Sequence, residues 1–231
     1  MQLHTRTWGE GDRLAVLNHG IMADHRTWRR VGPALADRGY RVIAVDLRGH
    51  GAGGRGPYGL ELFADDVVET LPRGAEPAIG HSLGGLTLSP AVDRLKPRRA
   101  VYSDPAWHLA SPEPGFGPEV FARFKSAGKE QIRAMNPRWE EADVEVEAAT
   151  LAVWDEATAL SLAPLQGRDL LPAAPAVPSL VQLADPSFLI SRERAALLTE
   201  RGFEVRSVAG AGHTIHRDDF EGFMASLEGW I

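Results

Sequence analysis

Gly80-His81-Ser82-Leu83-Gly84 is the stretch on which the reading of this chain turns. It fits G-x-S-x-G, with a short apolar run before it at 77–79 and a helix-compatible pattern after it at 83–95. In that setting a sharp strand-to-helix turn pushes a serine hydroxyl out of the fold. The flanking glycines suit such a turn because a Cβ there would collide with the tightly folded backbone. A pentapeptide this loose is a weak signal alone, and its place between a strand and a helix gives it weight.

Outward from it, short β-branched or apolar runs recur at 14–17, 41–45, 100–102, 179–183 and 204–208, each short enough for a buried strand. Amphipathic patterns at 27–38, 60–71, 192–201 and 218–230 lie between them. Alternation of strand and helix predicts an α/β fold, a mainly parallel sheet with helices on both faces. The alternation stops between Pro105 and Pro178, where helical patterns at 118–135 and 140–160 follow one another without a strand. This segment reads as an inserted helical cap at 106–170 on a core made of 1–105 and 171–231. Trp107, Trp139 and Trp154 fall in it, with Phe116, Phe121 and Phe124, more aromatic surface than a surface helix needs. Such rings either fix the cap to the sheet or line a pocket. Trp107 and Trp154 are the expected substrate contacts.

The 231 residues fit one sizeable domain or one domain carrying an insertion. With 44% apolar and 24% charged residues, a buried core is available. A formal charge of −6 gives no electrostatic reason to expect a nucleic acid or an acidic membrane surface as partner. The absence of cysteine removes disulfides, thiolate metal sites and cysteine nucleophiles together. No signal-peptide core and no membrane-length apolar run is present, so a cytoplasmic location is expected. The expected partner is a small-molecule substrate, and the expected state a monomer or homodimer.

Two further segments agree with a serine nucleophile. Asn18-His19-Gly20-Ile21 ends the first clear strand, where a loop amide can point at the same spot as the Leu83 amide and complete an oxyanion hole. Gly210-Ala211-Gly212-His213 follows the last strand and sets an imidazole on a glycine-rich loop. A serine hydroxyl is a weak nucleophile at neutral pH, and imidazole supplies a base poised near 7.

These pieces, with Asp46-Leu47-Arg48-Gly49-His50-Gly51, resemble the α/β-hydrolase superfamily along nearly the whole chain apart from the cap. The resemblance implies Ser82 as nucleophile, His213 as base, the Ile21 and Leu83 amides as oxyanion donors, and neither cofactor nor metal. At the acid this sequence departs from the pattern. Ungapped alignment puts Ser187 where the usual aspartate stands, with Asp185 two residues early. A minority of relatives take the acid from the strand after the nucleophile helix, which here ends at Asp104. Asp104 and Asp185 are therefore both candidates.

The implied reaction is hydrolysis of a carboxylic ester or lactone with an apolar portion. Carbon-carbon bond hydrolysis by the same triad and a noncatalytic, receptor-like use of the pocket are the alternatives. Serine at 82 argues against epoxide hydrolase and dehalogenase relatives, which use a carboxylate there. The G-x-G-x-x-G match at 49–54 is not read as dinucleotide binding, because Arg55-Gly56-Pro57 interrupts any helix after it. Asp46, Arg48 and His50 are expected to hold loops, His81 to pack inside the turn, and His19 to brace the oxyanion loop. His216 is expected at the surface or as a cap, and the acidic run Glu140, Glu141, Asp143, Glu145 and Glu147 as a solvated helix face.

Overall fold

The computed structural model describes residues 1–109 and 118–231. Its centre is a seven-stranded sheet built from β1 (His4–Trp8), β2 (Arg13–Asn18), β3 (Tyr40–Asp46), β4 (Pro77–His81), β5 (Arg99–Ser103), β6 (Ser179–Leu183) and β7 (Glu204–Ser207). The spatial order is β1-β3-β2-β4-β5-β6-β7, with only β1 antiparallel to its neighbour. Alternate residues along each strand sort onto two faces. Val16, Val45, Ala78, Tyr102 and Val181 face a core shared with α2 (Leu60–Thr70), α3 (Leu83–Leu95) and α8 (Arg192–Glu200). Leu17, Ala44, Ile79, Val101 and Leu180 face a second core shared with α1 (Val31–Ala36) and α10 (Phe220–Ser226). A short α9 (Ile215–Asp218) precedes α10.

Between β5 and β6 lie α4 (Pro118–Phe124), α5 (Lys129–Met135), α6 (Glu141–Val153) and α7 (Ala157–Leu160), with no strand of the sheet among the described residues there. A lone antiparallel bridge joins His108 to Asp169, so the two ends of the insertion leave the sheet side by side. The insertion has its own apolar cluster, Ile132, Val144, Leu151, Trp154 and Ala159, and Ile21 and Met22 pack against it. Phe116 lies outside the described residues. Among the described residues no helix is long and apolar enough to cross a membrane.

Three expectations need correction. His216 is buried: its ring stacks on Trp28 at 4.4 Å, and Nε2 lies 2.8 Å from Thr27 Oγ1. The acidic run is not a uniformly solvated face, because Asp143 and Glu147 are buried. Asp143 accepts two bonds from Arg29 at 2.8 Å, and Glu147 accepts one from Arg217 at 2.6 Å. Their partners come from far along the chain, which turns charge on a helix into a tie between the insertion and the sheet. The third concerns Trp107 and Trp154, both of which are buried inside the fold.

Candidate active site

β4 ends at His81, α3 starts at Leu83, and Ser82 alone makes the turn, at φ +50° and ψ −114°. A non-glycine residue at positive φ is strained and survives only where its surroundings over-determine it. Those surroundings are the glycines. A Cβ on Gly84 would stand 2.2 Å from the Asn18 carbonyl oxygen, and one on Gly80 2.5 Å from that of Gly84. The motif therefore lets β2, β4 and α3 close on one another around the serine.

Gly20 seals the other side, where a Cβ would sit 2.8 Å from His81 Nδ1 and 3.2 Å from Ser82 Cβ. This contact brings the loop after β2 against the serine. His19 braces it: the Leu47 amide donates to His19 Nε2 at 3.0 Å, and Nδ1 lies 2.7 Å from the Gly20 carbonyl oxygen. The amides of Ile21 and Leu83 have no acceptor among the described residues, and both residues line the same cavity as Ser82.

His213 Nδ1 lies 2.6 Å from Asp104 Oδ2. Asp104 is fully buried just past β5, also at positive φ (+39°), and its Oδ1 accepts from the Ala184 amide at 3.3 Å. Its backbone amide donates to the Gln182 carbonyl at 2.7 Å, so β6 and the residue that follows it hold both the backbone and the side chain of Asp104. His81 Nε2 donates to the His213 carbonyl at 2.9 Å, tying the glycine-rich loop to the turn. Burial pushes the His81 imidazole well below its usual range, and the proximity of His213 adds to this, so His81 stays a neutral donor. In the loop, Gly210 adopts φ +68°, and a Cβ on Gly212 would stand 2.8 Å from Asp218 Oδ2.

The structure thus brings Asp104 and His213 together and sets His213 and Ser82 on one cavity wall, with no hydrogen bond between Ser82 and His213. Asp185, the other candidate acid, is exposed, and its amide donates to the Ala211 carbonyl at 3.0 Å. Ser187 Oγ accepts from the Leu189 and Ile190 amides and serves as a turn cap.

The cavity has a volume of about 660 Å³, and its wall is largely apolar. Trp107 and Trp154 do not line it. Trp107 is buried against Tyr102 and Phe203 and donates its indole N–H to Ser89 at 2.7 Å. Trp154 is buried in the insertion's cluster and donates to Thr158 at 2.7 Å. Each indole has its polar atom satisfied inside the fold, so these rings fix the insertion. The cavity's aromatic wall comes instead from Trp139, Phe121, Phe124 and Phe188. Phe188 was not singled out from sequence: it is largely exposed, and its ring packs 4.8 Å from that of His213.

The family model described as "Alpha/beta hydrolase family" matches residues 15–225. The pimeloyl-acyl-carrier-protein methyl ester esterase of Klebsiella pneumoniae (strain 342) is 37% identical over 125 residues, covering 52% of this chain and 48% of that protein. Epoxide hydrolase B of Mycobacterium tuberculosis is 41% identical over 78 residues, 31% of this chain and 22% of its own. The alignment to the esterase therefore spans about half of its length. Among solved structures, the enol-lactonase from Burkholderia xenovorans LB400 superposes with a TM-score of 0.76 at 25% identity, covering 99% of this chain and 95% of that one.

Proposed function

The chain belongs to the alpha/beta hydrolase family, and from that premise we propose that it is a serine hydrolase of carboxylic esters or lactones with an apolar portion. The observation that carries this is the 2.6 Å contact of His213 with the buried Asp104 carboxylate, on the cavity that Ser82 also lines. The carboxylate accepts the Nδ1 proton, which leaves the Nε2 lone pair free toward the cavity. His213 then takes the Ser82 proton as the oxygen attacks the ester carbonyl. The oxyanion is held by the Ile21 and Leu83 amides, two donors without another acceptor. His213 returns the proton to the leaving alcohol, and water deacylates Ser82 by the same steps in reverse order.

Residues 106–170 act as a cap in this reading, carried by the core of 1–105 and 171–231. Helix α4 supplies Phe121 and Phe124, and the α5–α6 connection supplies Trp139, to the wall that receives the acyl or alcohol portion. The ester substrate of the Klebsiella relative and the lactone substrate of the Burkholderia neighbour both agree with this chemistry. A panel of esters and lactones of graded apolar size, screened with wild type and Ser82→Ala side by side, tests the proposal. Turnover of at least one substrate by wild type and its loss in Ser82→Ala is expected; activity retained within tenfold would reject it.

A further inference from the structure

Away from the cavity, three side chains that the proposed hydrolysis does not use converge on one point. Asp46, the last residue of β3, is fully buried. Its Oδ2 lies 2.9 Å from His4 Nδ1, and its Oδ1 lies 2.8 Å from His25 Nδ1. All three ligand atoms are within 4.8 Å of one another. The antiparallel register fixes His4, because it is the residue opposite Asp46 on β1. The turn 25–28 fixes His25, whose amide donates to Asp46 Oδ1 at 2.8 Å. The Ala52 amide donates to Oδ2 at 3.0 Å. The carboxylate is therefore anchored by two backbone N–H groups, and each oxygen keeps one imidazole nitrogen in front of it.

We propose that His4, His25 and Asp46 form a binding site for a divalent transition-metal ion of the zinc type. The charge balance favours it. Among the described residues no Arg or Lys lies within ion-pair distance of Asp46, so the only side chains that can balance the charge of this buried carboxylate are two imidazoles. Two imidazole nitrogens and one carboxylate oxygen suit a borderline ion such as Zn²⁺, Co²⁺ or Ni²⁺ far better than Mg²⁺ or Ca²⁺, which want oxygen.

The fit requires little movement. A tetrahedral ion with bonds of about 2.0–2.1 Å sets its ligand atoms about 3.3–3.4 Å apart, between the 2.8–2.9 Å of the present contacts and the 4.8 Å that bounds the set. Both imidazoles have room to shift, since the His4 side chain is 43% exposed and that of His25 20%. Binding moves each Nδ1 proton to Nε2. None of the three residues lines the cavity, which makes the ion a structural staple. It would join β1, the C-terminal end of β3 and the 25–28 turn, whose Thr27 lies on the cavity wall.

The test uses the full chain without a histidine tag, titrated with Co²⁺ followed by its visible d–d absorption and with Zn²⁺ followed by calorimetry and Tm. One ion per chain is expected for wild type, with a rise in Tm. His4→Ala and His25→Ala should each weaken binding at least about tenfold. His213→Ala should bind as wild type does, which separates this site from the imidazole at the proposed active centre. No saturable binding by wild type would overturn the proposal. So would affinity unchanged in both His4→Ala and His25→Ala, or loss of the ion in His213→Ala alone.

Discussion

Replacing Asp104 by asparagine is the perturbation whose outcome the geometry specifies most fully. The carboxylate is buried, and its two oxygens have different partners: Oδ1 takes the Ala184 N–H at 3.3 Å and Oδ2 faces His213 Nδ1 at 2.6 Å. In Asp104→Asn the amide oxygen belongs at the Oδ1 position, because an NH₂ there would meet the Ala184 N–H. The NH₂ is then left facing Nδ1, which must become the acceptor. The imidazole proton moves to Nε2, and the base that should take the Ser82 proton is lost. The same replacement in a serine protease lowers kcat about 10⁴-fold, or about 5 kcal/mol of transition-state stabilisation. A loss of about 10³–10⁴-fold in kcat is expected here, with KM nearly unchanged. Asp185→Asn removes an exposed carboxylate with no contact to His213 and should stay within about threefold of wild type. Steady-state kinetics on the best ester of the panel, with circular dichroism to show that both variants fold, measures this. Asp104→Asn within tenfold of wild type, or the reverse ranking, would refute the assignment of the acid.

Other expectations follow from the same contacts. Ile21→Pro deletes a proposed oxyanion donor and should cost about 10²–10³ in kcat, whereas Ile21→Ala keeps the amide and should change kcat little; equal losses would remove Ile21 from the site. Trp107→Ala should lower stability by about 3–5 kcal/mol in urea unfolding and leave the substrate ranking unchanged, because the ring is core. Phe188→Ala should shift the ranking among alcohol portions with little change in Tm, because the ring is exposed and lies over His213; no shift would remove it from substrate recognition. Burial holds His81 and His216 neutral in the fold, with pKa values well below the usual 6.5. The unfolded chain therefore binds more protons below about pH 6.5, and stability is lost as pH falls, by up to about 1.4 kcal/mol per pH unit for each. Urea midpoints from pH 8 to 5 should show this slope, reduced in His216→Phe.

The strands β2 to β7 and the helices α2, α3 and α8 were legible because each carries its own apolar period. β1 was not, since His4–Trp8 is a polar edge strand with four of five residues exposed, and only its pairing with β3 makes it a strand. The helical pattern at 27–38 breaks into the turn 25–28 and α1, and that at 118–135 splits at Gly128 into α4 and α5. The motif residues Ser82, Gly84 and Gly20 were legible because local backbone geometry demands them. The burial of Asp143, Glu147 and His216 was not, because Arg29, Arg217 and Thr27 reach them only in the folded chain. The same reason hid the roles of Trp107 and Trp154. Sequence shows that a ring is present, while which surface it covers depends on Ser89 and Thr158 standing ready to accept the indole N–H.

The central claim is that Ser82 is a nucleophile activated by His213, and covalent labelling tests it most directly. Wild type, Ser82→Ala and His213→Ala would be treated with a fluorophosphonate, and the adduct counted by intact-protein mass spectrometry and mapped by peptide sequencing. One adduct per chain on Ser82, absent from Ser82→Ala and formed orders of magnitude more slowly in His213→Ala, is the predicted result. Labelling of Ser82→Ala at the wild-type rate, or no labelling of folded wild type, would contradict it.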